Sequence, residues 1–153
     1  MANYELSAEL MERLKEKFPG VAVAGEGTLQ VEAGDLVPLM TELKNNPDYC
    51  FDYLTNLTAV DFKDHFAVIY NLVSLTRNHT LMIKVKVDDR ENPAVPSLCP
   101  LWGGAAWQER EVYDLLGINF TGYPGHPTRI LLDDSFQGHP LRKDFQWEGG
   151  REE

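Results

Sequence analysis

Hydrophobic and polar residues alternate at two different periods along this 153-residue chain. Near the start, Leu10, Met11, Leu14 and Phe18 recur at helical spacing, while Glu12, Lys15 and Glu16 take the opposite side. Ser7 stands where a helix cap belongs, so the pattern predicts a helix from Ser7 to about Phe18, stopped by Pro19-Gly20. Short strands are expected at Val21 to Ala24 and Thr28 to Val31, around Gly25-Glu26-Gly27. A second helix is expected from Gly34 or Asp35 to about Lys44, with Pro38 tolerated in its first turn. Asn45-Asn46-Pro47-Asp48 reads as a turn.

From Phe51 the period changes to two. Phe51 to Phe62 is rich in β-branched and aromatic residues. Phe66, Val68, Tyr70 and Leu72 share one face of the next run, and Leu81, Ile83, Val85 and Val87 share one face of the third, with Lys84 and Lys86 opposite. The connections Lys63-Asp64-His65 and Arg77-Asn78-His79 are short enough for hairpins, which makes these runs an antiparallel meander with one face in the core and one wet. The expected fold class is α+β: two helices on a mainly antiparallel sheet, then a further helix and an extended, largely irregular C-terminal arm.

The last third has another character. Asp88 to Pro100 carries Pro93, Pro96 and Pro100 and reads as an extended connection. A helix from about Ala105 to Leu116, stopped by Gly117, is apolar on more than one side, which implies burial on more than one side. Beyond Ile118 no periodicity emerges, yet Phe120, Tyr123, Ile130, Leu131, Leu132, Phe136, Leu141, Phe145 and Trp147 all need cover, from this chain or from a partner. Residues 1–100 are expected to form the α+β domain, and 101–153 the helix and arm of the same structural unit.

Composition narrows the function classes. With 43% hydrophobic and 25% charged residues the chain is ordinary globular protein, and a chain of this size buries about 70% of its surface on folding without staples. The net charge of −10, from 14 basic and 24 acidic residues, argues against binding nucleic acid or an anionic lipid surface unaided. No run of about 18 apolar residues is present to span a bilayer, and Met1 to Glu5 does not open a leader pattern. Cys50 and Cys99 are too far apart for a CxxC motif and are expected as buried thiols.

The candidate chemistry is sparse. His65 and His79 fall in hairpin turns, where exposed histidines are ordinary. His126 and His139 sit in Gly-His-Pro triplets thirteen residues apart, which is no metal-site spacing. No nucleophile elbow, phosphate loop or dinucleotide fingerprint occurs. The densest charged feature is Glu109-Arg110-Glu111 with Asp114 on the last helix. Arg110 and Asp114 are i,i+4 partners, which on a surface is worth a few tenths of a kcal/mol. Asp61 with Glu109 or Asp114 could serve as acid and base if they lined a pocket. The second feature, Gly138-His-Pro-Leu-Arg-Lys-Asp-Phe145, combines a rigid proline, two apolar anchors and two cations, and reads as a recognition arm.

Taken together, Glu109-Arg-Glu-Val-Tyr-Asp-Leu-Leu-Gly-Ile-Asn-Phe120 and Gly138-His-Pro-Leu-Arg-Lys-Asp-Phe145 resemble the thirty-kilodalton subunit family of respiratory complex I, whose bacterial members are the C subunits of NADH-quinone oxidoreductases. Leu57-Thr-Ala-Val-Asp61, Tyr70-Asn-Leu-Val-Ser74, Pro96-Ser97 and Trp107 resemble family positions too. The chain departs from the family at Ala106, where asparagine is usual, and along Gly122 to Arg129.

The resemblance implies a non-catalytic structural subunit of the peripheral arm, on the cytoplasmic membrane face and attached only through the complex. The arm would lie along the large quinone-site subunit, the forty-nine-kilodalton type, beside a cluster-bearing subunit. No cofactor is expected on this chain; flavin, iron–sulfur clusters and quinone would belong to other subunits. Trp107, Glu109, Arg110, Asp114, Phe120, His139, Leu141, Arg142, Lys143 and Phe145 are the partner-facing residues it implies. An isolated chain could swap its arm onto a second copy. Related subunits serve ion-pumping hydrogenases with a different electron donor, which is the alternative.

Overall fold

A computed structural model of the chain describes residues 6–25, 27–123, 131–132 and 137–145. Ile130, Phe136, Trp147 and His126 lie outside the described residues.

Helix α1 spans Ala8–Lys17, and Ser7 caps it by accepting the Leu10 amide at 3.3 Å. Leu14 is fully buried, with Leu10, Met11 and Phe18 packed beside it. Strands β1 (Ala22–Gly25) and β2 (Thr28–Val31) form the first hairpin. Helix α2 runs Ala33–Asn45 and buries Leu36, Leu39, Met40 and Leu43, an i, i+3, i+4, i+7 stripe. It starts earlier than its sequence suggests, so Pro38 falls past the first turn. The amide that Pro38 lacks would have bonded the Gly34 carbonyl, and both residues lie on the exposed side where water substitutes. Asn46 then closes the helix, its side-chain oxygen accepting the Asp48 amide at 2.9 Å in an Asx turn.

Strands β3 (Tyr53–Asp61), β4 (Phe66–Ser74) and β5 (His79–Val87) form the antiparallel meander. The sheet order is β1-β2-β5-β4-β3, with β2 parallel to β5 and every other pairing antiparallel. The alternation read from the sequence is the alternation of burial: Phe66, Val68, Tyr70, Leu72, Leu81, Ile83, Val85 and Val87 all enter the core. His79 departs from expectation. It is buried as the first residue of β5, its Nε2 is 2.6 Å from the Tyr49 carbonyl oxygen, and its ring packs on Phe51. The two cysteines are half-buried rather than buried.

Between β5 and Tyr123 the chain is more regular than its prolines suggest. Strand β6 (Ala94–Pro96) pairs in parallel with β7 (Asn119–Thr121). Each is too short to show a period, and Pro96 is tolerated because this small sheet is all edge. Between them lies α3, Ala105–Leu116, which packs across β3 and ends on Gly117 in the left-handed conformation at φ 78°. No helix among the described residues is long and apolar enough to cross a membrane.

Candidate functional site

Helix α3 and the segment 137–145 hold all the residues singled out in the two motifs except Phe120, which lies on β7, and the structure brings the helix and the segment together. The helix buries Ala105, Glu109, Val112, Asp114 and Leu116, and the segment folds back over the chain's own domain in two successive turns. Arg142 N donates to the His139 carbonyl at 3.2 Å, and Phe145 N to the Arg142 carbonyl at 3.1 Å. This corrects the expectation of an extended backbone after Pro140.

Three contacts seat the segment on the helix. Leu141 N donates to the Leu115 carbonyl at 2.9 Å. His139 Nδ1 lies 2.9 Å from the Asp114 carbonyl oxygen, so Nδ1 carries the proton. The His139 ring meets Tyr113 edge-on at 5.5 Å. Gly117 makes room for it: a Cβ there would stand 2.7 Å from His139 Cδ2. Gly117→Ala is therefore expected to cost at least about 1–2 kcal/mol from the positive φ alone, and to loosen His139 as well. Thermal unfolding of the variant, with histidine NMR shifts, checks both; unchanged values would refute the contact.

The segment's other anchor is Asp61, at the end of β3 and 82 residues earlier than Lys143. Its Oδ2 accepts the Lys143 amide at 2.7 Å, and its Oδ1 accepts the Lys63 amide at 2.8 Å. Arg90 grips both carboxylate oxygens, at 2.6 and 3.0 Å, and reaches on to Asp144 at 3.2 Å. Arg142 closes the ring with two bonds to Asp144, at 2.9 and 3.0 Å, and one to the Arg90 carbonyl at 2.9 Å. Both guanidinium groups lie over the Phe66 ring, at 4.6 and 5.0 Å from its centroid. The cluster is electrically balanced, two carboxylates against two guanidiniums. Arg90 and the two amides hold the Asp61 carboxyl well below the usual range against the opposing effect of burial, and Arg142 and Arg90 bring Asp144 down to about 2.

A different device fixes the approach to the helix. Glu109 is fully buried. It accepts hydrogen bonds from Ser97 Oγ at 2.7 Å, the Leu98 amide at 2.8 Å and Cys99 Sγ at 3.3 Å. Burial raises its pKa, and these three donors only partly offset that. The Cys99 thiol is itself pushed up, chiefly by burial. On the far side, Gln108 Oε1 accepts the Leu57 amide at 2.6 Å and ties α3 to β3.

The remaining motif residues divide by exposure. Asp114 is buried rather than on the surface, its Oδ2 accepting the Leu131 and Leu132 amides at 2.8 and 3.0 Å. Phe120 sits in the core on β7, and Phe145 is half-buried against Gly138. Arg110 is half-buried with its guanidinium 5.6 Å from the Trp107 ring centre. Trp107 is 57% exposed and Leu141 59%, and Lys143 also faces solvent. A groove of about 80 Å³ runs between β3 and α3, with Leu141 at its rim. Asp61, Glu109 and Asp114 are all closed to solvent, which removes the acid–base pairing that their spacing allowed.

Sequence reasoning missed Arg90, Asp144 and Phe66 as parts of this site. Arg90 looks like one more loop charge after Asp88-Asp89, and no local signal marks its partner.

Residues 29–151 match the family described as respiratory-chain NADH dehydrogenase, 30 Kd subunit. The chain is 45% identical over 150 residues to the C subunit of the NADH-quinone oxidoreductase of Moorella thermoacetica, covering 92% of this chain and 97% of the relative. It is 40% identical over 149 residues to that of Xanthobacter autotrophicus, covering 95% and 70%. Against that of Caulobacter sp. strain K31 it is 45% identical over 128 residues, covering 82% of this chain but only 58% of the relative. Among solved structures, a chain of the membrane-bound sulfane sulfur reductase, an archaeal respiratory membrane complex, superposes with a TM-score of 0.76 at 25% identity, covering 90% of this chain and 84% of that one.

Proposed function

Because the chain belongs to the thirty-kilodalton subunit family of respiratory-chain NADH dehydrogenases, we propose that it is a non-catalytic structural subunit of the peripheral arm of a proton-pumping NADH-quinone oxidoreductase. It docks on the large quinone-site subunit, the forty-nine-kilodalton type, and on the cluster-bearing subunit beside it. It supports electron transfer from NADH to quinone by holding that arm together. It carries no redox group of its own; flavin, iron–sulfur clusters and quinone reside in other subunits. It lies on the cytoplasmic face of the membrane and is held there through the complex.

One observation carries the structural role. The motif carboxylates Asp61, Glu109 and Asp114 are buried and committed to this chain's own amides, hydroxyl and guanidinium. Meanwhile Trp107, beside the first motif, and Leu141, in the second, stand more than half exposed, although Phe120 and Phe145 do not. Carboxylates engaged inside, with an exposed tryptophan and leucine beside them, suit a docking surface better than a reaction centre.

The likeness to a chain of the sulfane sulfur reductase favours a second reading, a subunit of a related membrane complex with another electron donor. Identities of 40% and 45% to the NADH-quinone oxidoreductase relatives, against 25% there, favour the first. The tagged full chain, purified from gently solubilised membranes of its own host, separates them. Co-purification of the large quinone-site subunit with NADH-oxidising subunits is expected. Recovery with hydrogenase or sulfur-reductase subunits would establish the second reading, and recovery of the chain alone would end both.

A further inference from the structure

The five-stranded sheet has a second face, and part of it is apolar and exposed. Strand register places Val60, Ala67 and Lys86 in one row across β3, β4 and β5, and Thr58, Ile69, Lys84 and Gln30 in the next, extending onto β2. These rows alternate with the core rows and so point away from the helices. An antiparallel sheet covered on one side normally turns polar side chains outward on the other. Here β3 and β4 turn out Tyr53, Val60, Ile69 and Val73 among Asn56, Thr58 and Asn71, Met82 follows beside Thr80 on β5, and Phe62 extends the apolar patch past the end of β3. Tyr53 is 54% exposed, Val60 38% and Phe62 44%.

The charge on this face is as particular as its apolarity. The chain carries 24 acidic residues, yet the outward positions of the five strands hold no carboxylate and two lysines. The Lys84 ammonium lies 5.3 Å above the centre of the Phe62 ring and has no carboxylate partner among the described residues. Lys86 reaches only Asp88, at 3.6 Å, with both side chains exposed. Asp64, at the hairpin tip, is engaged by His65 at 2.7 Å.

These features select the occupant. A lipid surface is disfavoured, because two lysines on a chain of charge −10 fall short of the four to eight that recruit a protein to anionic lipid. A second copy is disfavoured, because pairing this face with itself sets Lys84 and Lys86 against their own kind. A protein surface that offers apolar side chains around at least one carboxylate satisfies both features. We infer that the outer sheet face, centred on Val60, Phe62, Ile69 and Lys84, is a second docking surface of this subunit, and that it receives an apolar patch with a carboxylate on a neighbouring subunit of the complex. This inference rests on the proposed structural role and adds to it a contact on the opposite side of the sheet from α3.

Zero-length carbodiimide coupling tests it, because the reagent joins a lysine amine only to a carboxylate in direct contact. The complex purified through the wild-type chain is treated and digested, and peptides joined to Lys84 or Lys86 are sequenced. A cross-link from Lys84 to an acidic residue of another subunit is expected, together with at least tenfold slower acylation of Lys84 in the complex than in the free chain. In parallel, Val60→Glu and Lys84→Glu should keep the free chain's melting temperature within a few degrees and lower recovery of the complex at least tenfold. Equal acylation of Lys84 in both states would overturn the inference, whether or not the variants fold. So would wild-type recovery by well-folded variants, or cross-links only to a second copy. Wild-type chain that recovers no subunits at all would instead bring down the structural role, and this inference with it.

Discussion

Asp61→Ala is expected to lower the chain's stability by about 3 kcal/mol, near the lower end of the range for breaking a buried ion pair from one side. Asp61 is 4% exposed, and its loss strips Arg90 of a two-point partner and leaves the Lys63 and Lys143 amides without their acceptor. The lower end applies because the Arg90 side chain, 20% exposed, regains some water. For a chain of this length the change lowers the melting temperature by roughly 10 °C. Asp144→Ala is the contrast. Its carboxylate joins two arginines, Arg90 and Arg142, but is half exposed, so its loss should cost no more than about 1 kcal/mol.

The Asp61 effect has a pH signature. Its native pKa is depressed, so its stabilisation is complete above the unfolded value of about 3.9 and fades as pH falls toward the native one. Wild type and Asp61→Ala should therefore converge in stability below about pH 4. Hydrogen exchange locates the damage: amides 141–145 should open far faster in the variant while β4 and β5 remain protected. A variant with wild-type melting and wild-type exchange at Lys143 would show that Asp61 does not anchor the segment.

This network also shows what the sequence could and could not disclose. The α1 stripe, the alternation in β4 and β5, and the limits of α3 were all legible, because each is written in residues within a few positions of one another. The Gly138 to Phe145 motif was legible as a motif, but its direction was not. Its two cations look like groups offered to a partner. In the folded chain one of them, Arg142, turns onto Asp144 and Phe66, and the amide of the other meets a carboxylate on a distant strand. Nothing near Lys143 in sequence names Asp61. Arg90 was invisible for the same reason, and β6 and β7 because a three-residue parallel pair flanked by prolines has no period to read. Glu109 was recognised as a charge on a buried helix, but the sequence did not say whether a cation or neutral donors would meet it. It is met by a hydroxyl, an amide and a thiol.

That difference decides the second large prediction. Glu109→Ala should destabilise the chain by about 3 kcal/mol or more, since it opens a cavity and leaves the Ser97 hydroxyl and Leu98 amide without acceptors in a dry site. Glu109→Gln should behave differently. Its amide oxygen can take the Leu98 hydrogen bond, and its NH₂ can donate to Ser97 Oγ. What it removes is the titration. The native pKa of Glu109 is raised, so the unfolded chain gives up its proton first, at about pH 4.3. From there upward the wild type loses stability until Glu109 ionises in the native state as well. Relative to wild type, Glu109→Gln should gain stability as pH rises from about 4 toward 7, the reverse of the Asp61 trend. Urea midpoints across that range measure it. If Glu109→Gln proves as damaging as Glu109→Ala at every pH, the charge itself is required and an unrecognised cation faces it. If instead the expected slope appears, Glu109 acts as a hydrogen-bond clamp that locks the Ser97 to Cys99 loop onto α3. The rigidity with which that helix displays Trp107 then depends on neutral donors inside the subunit.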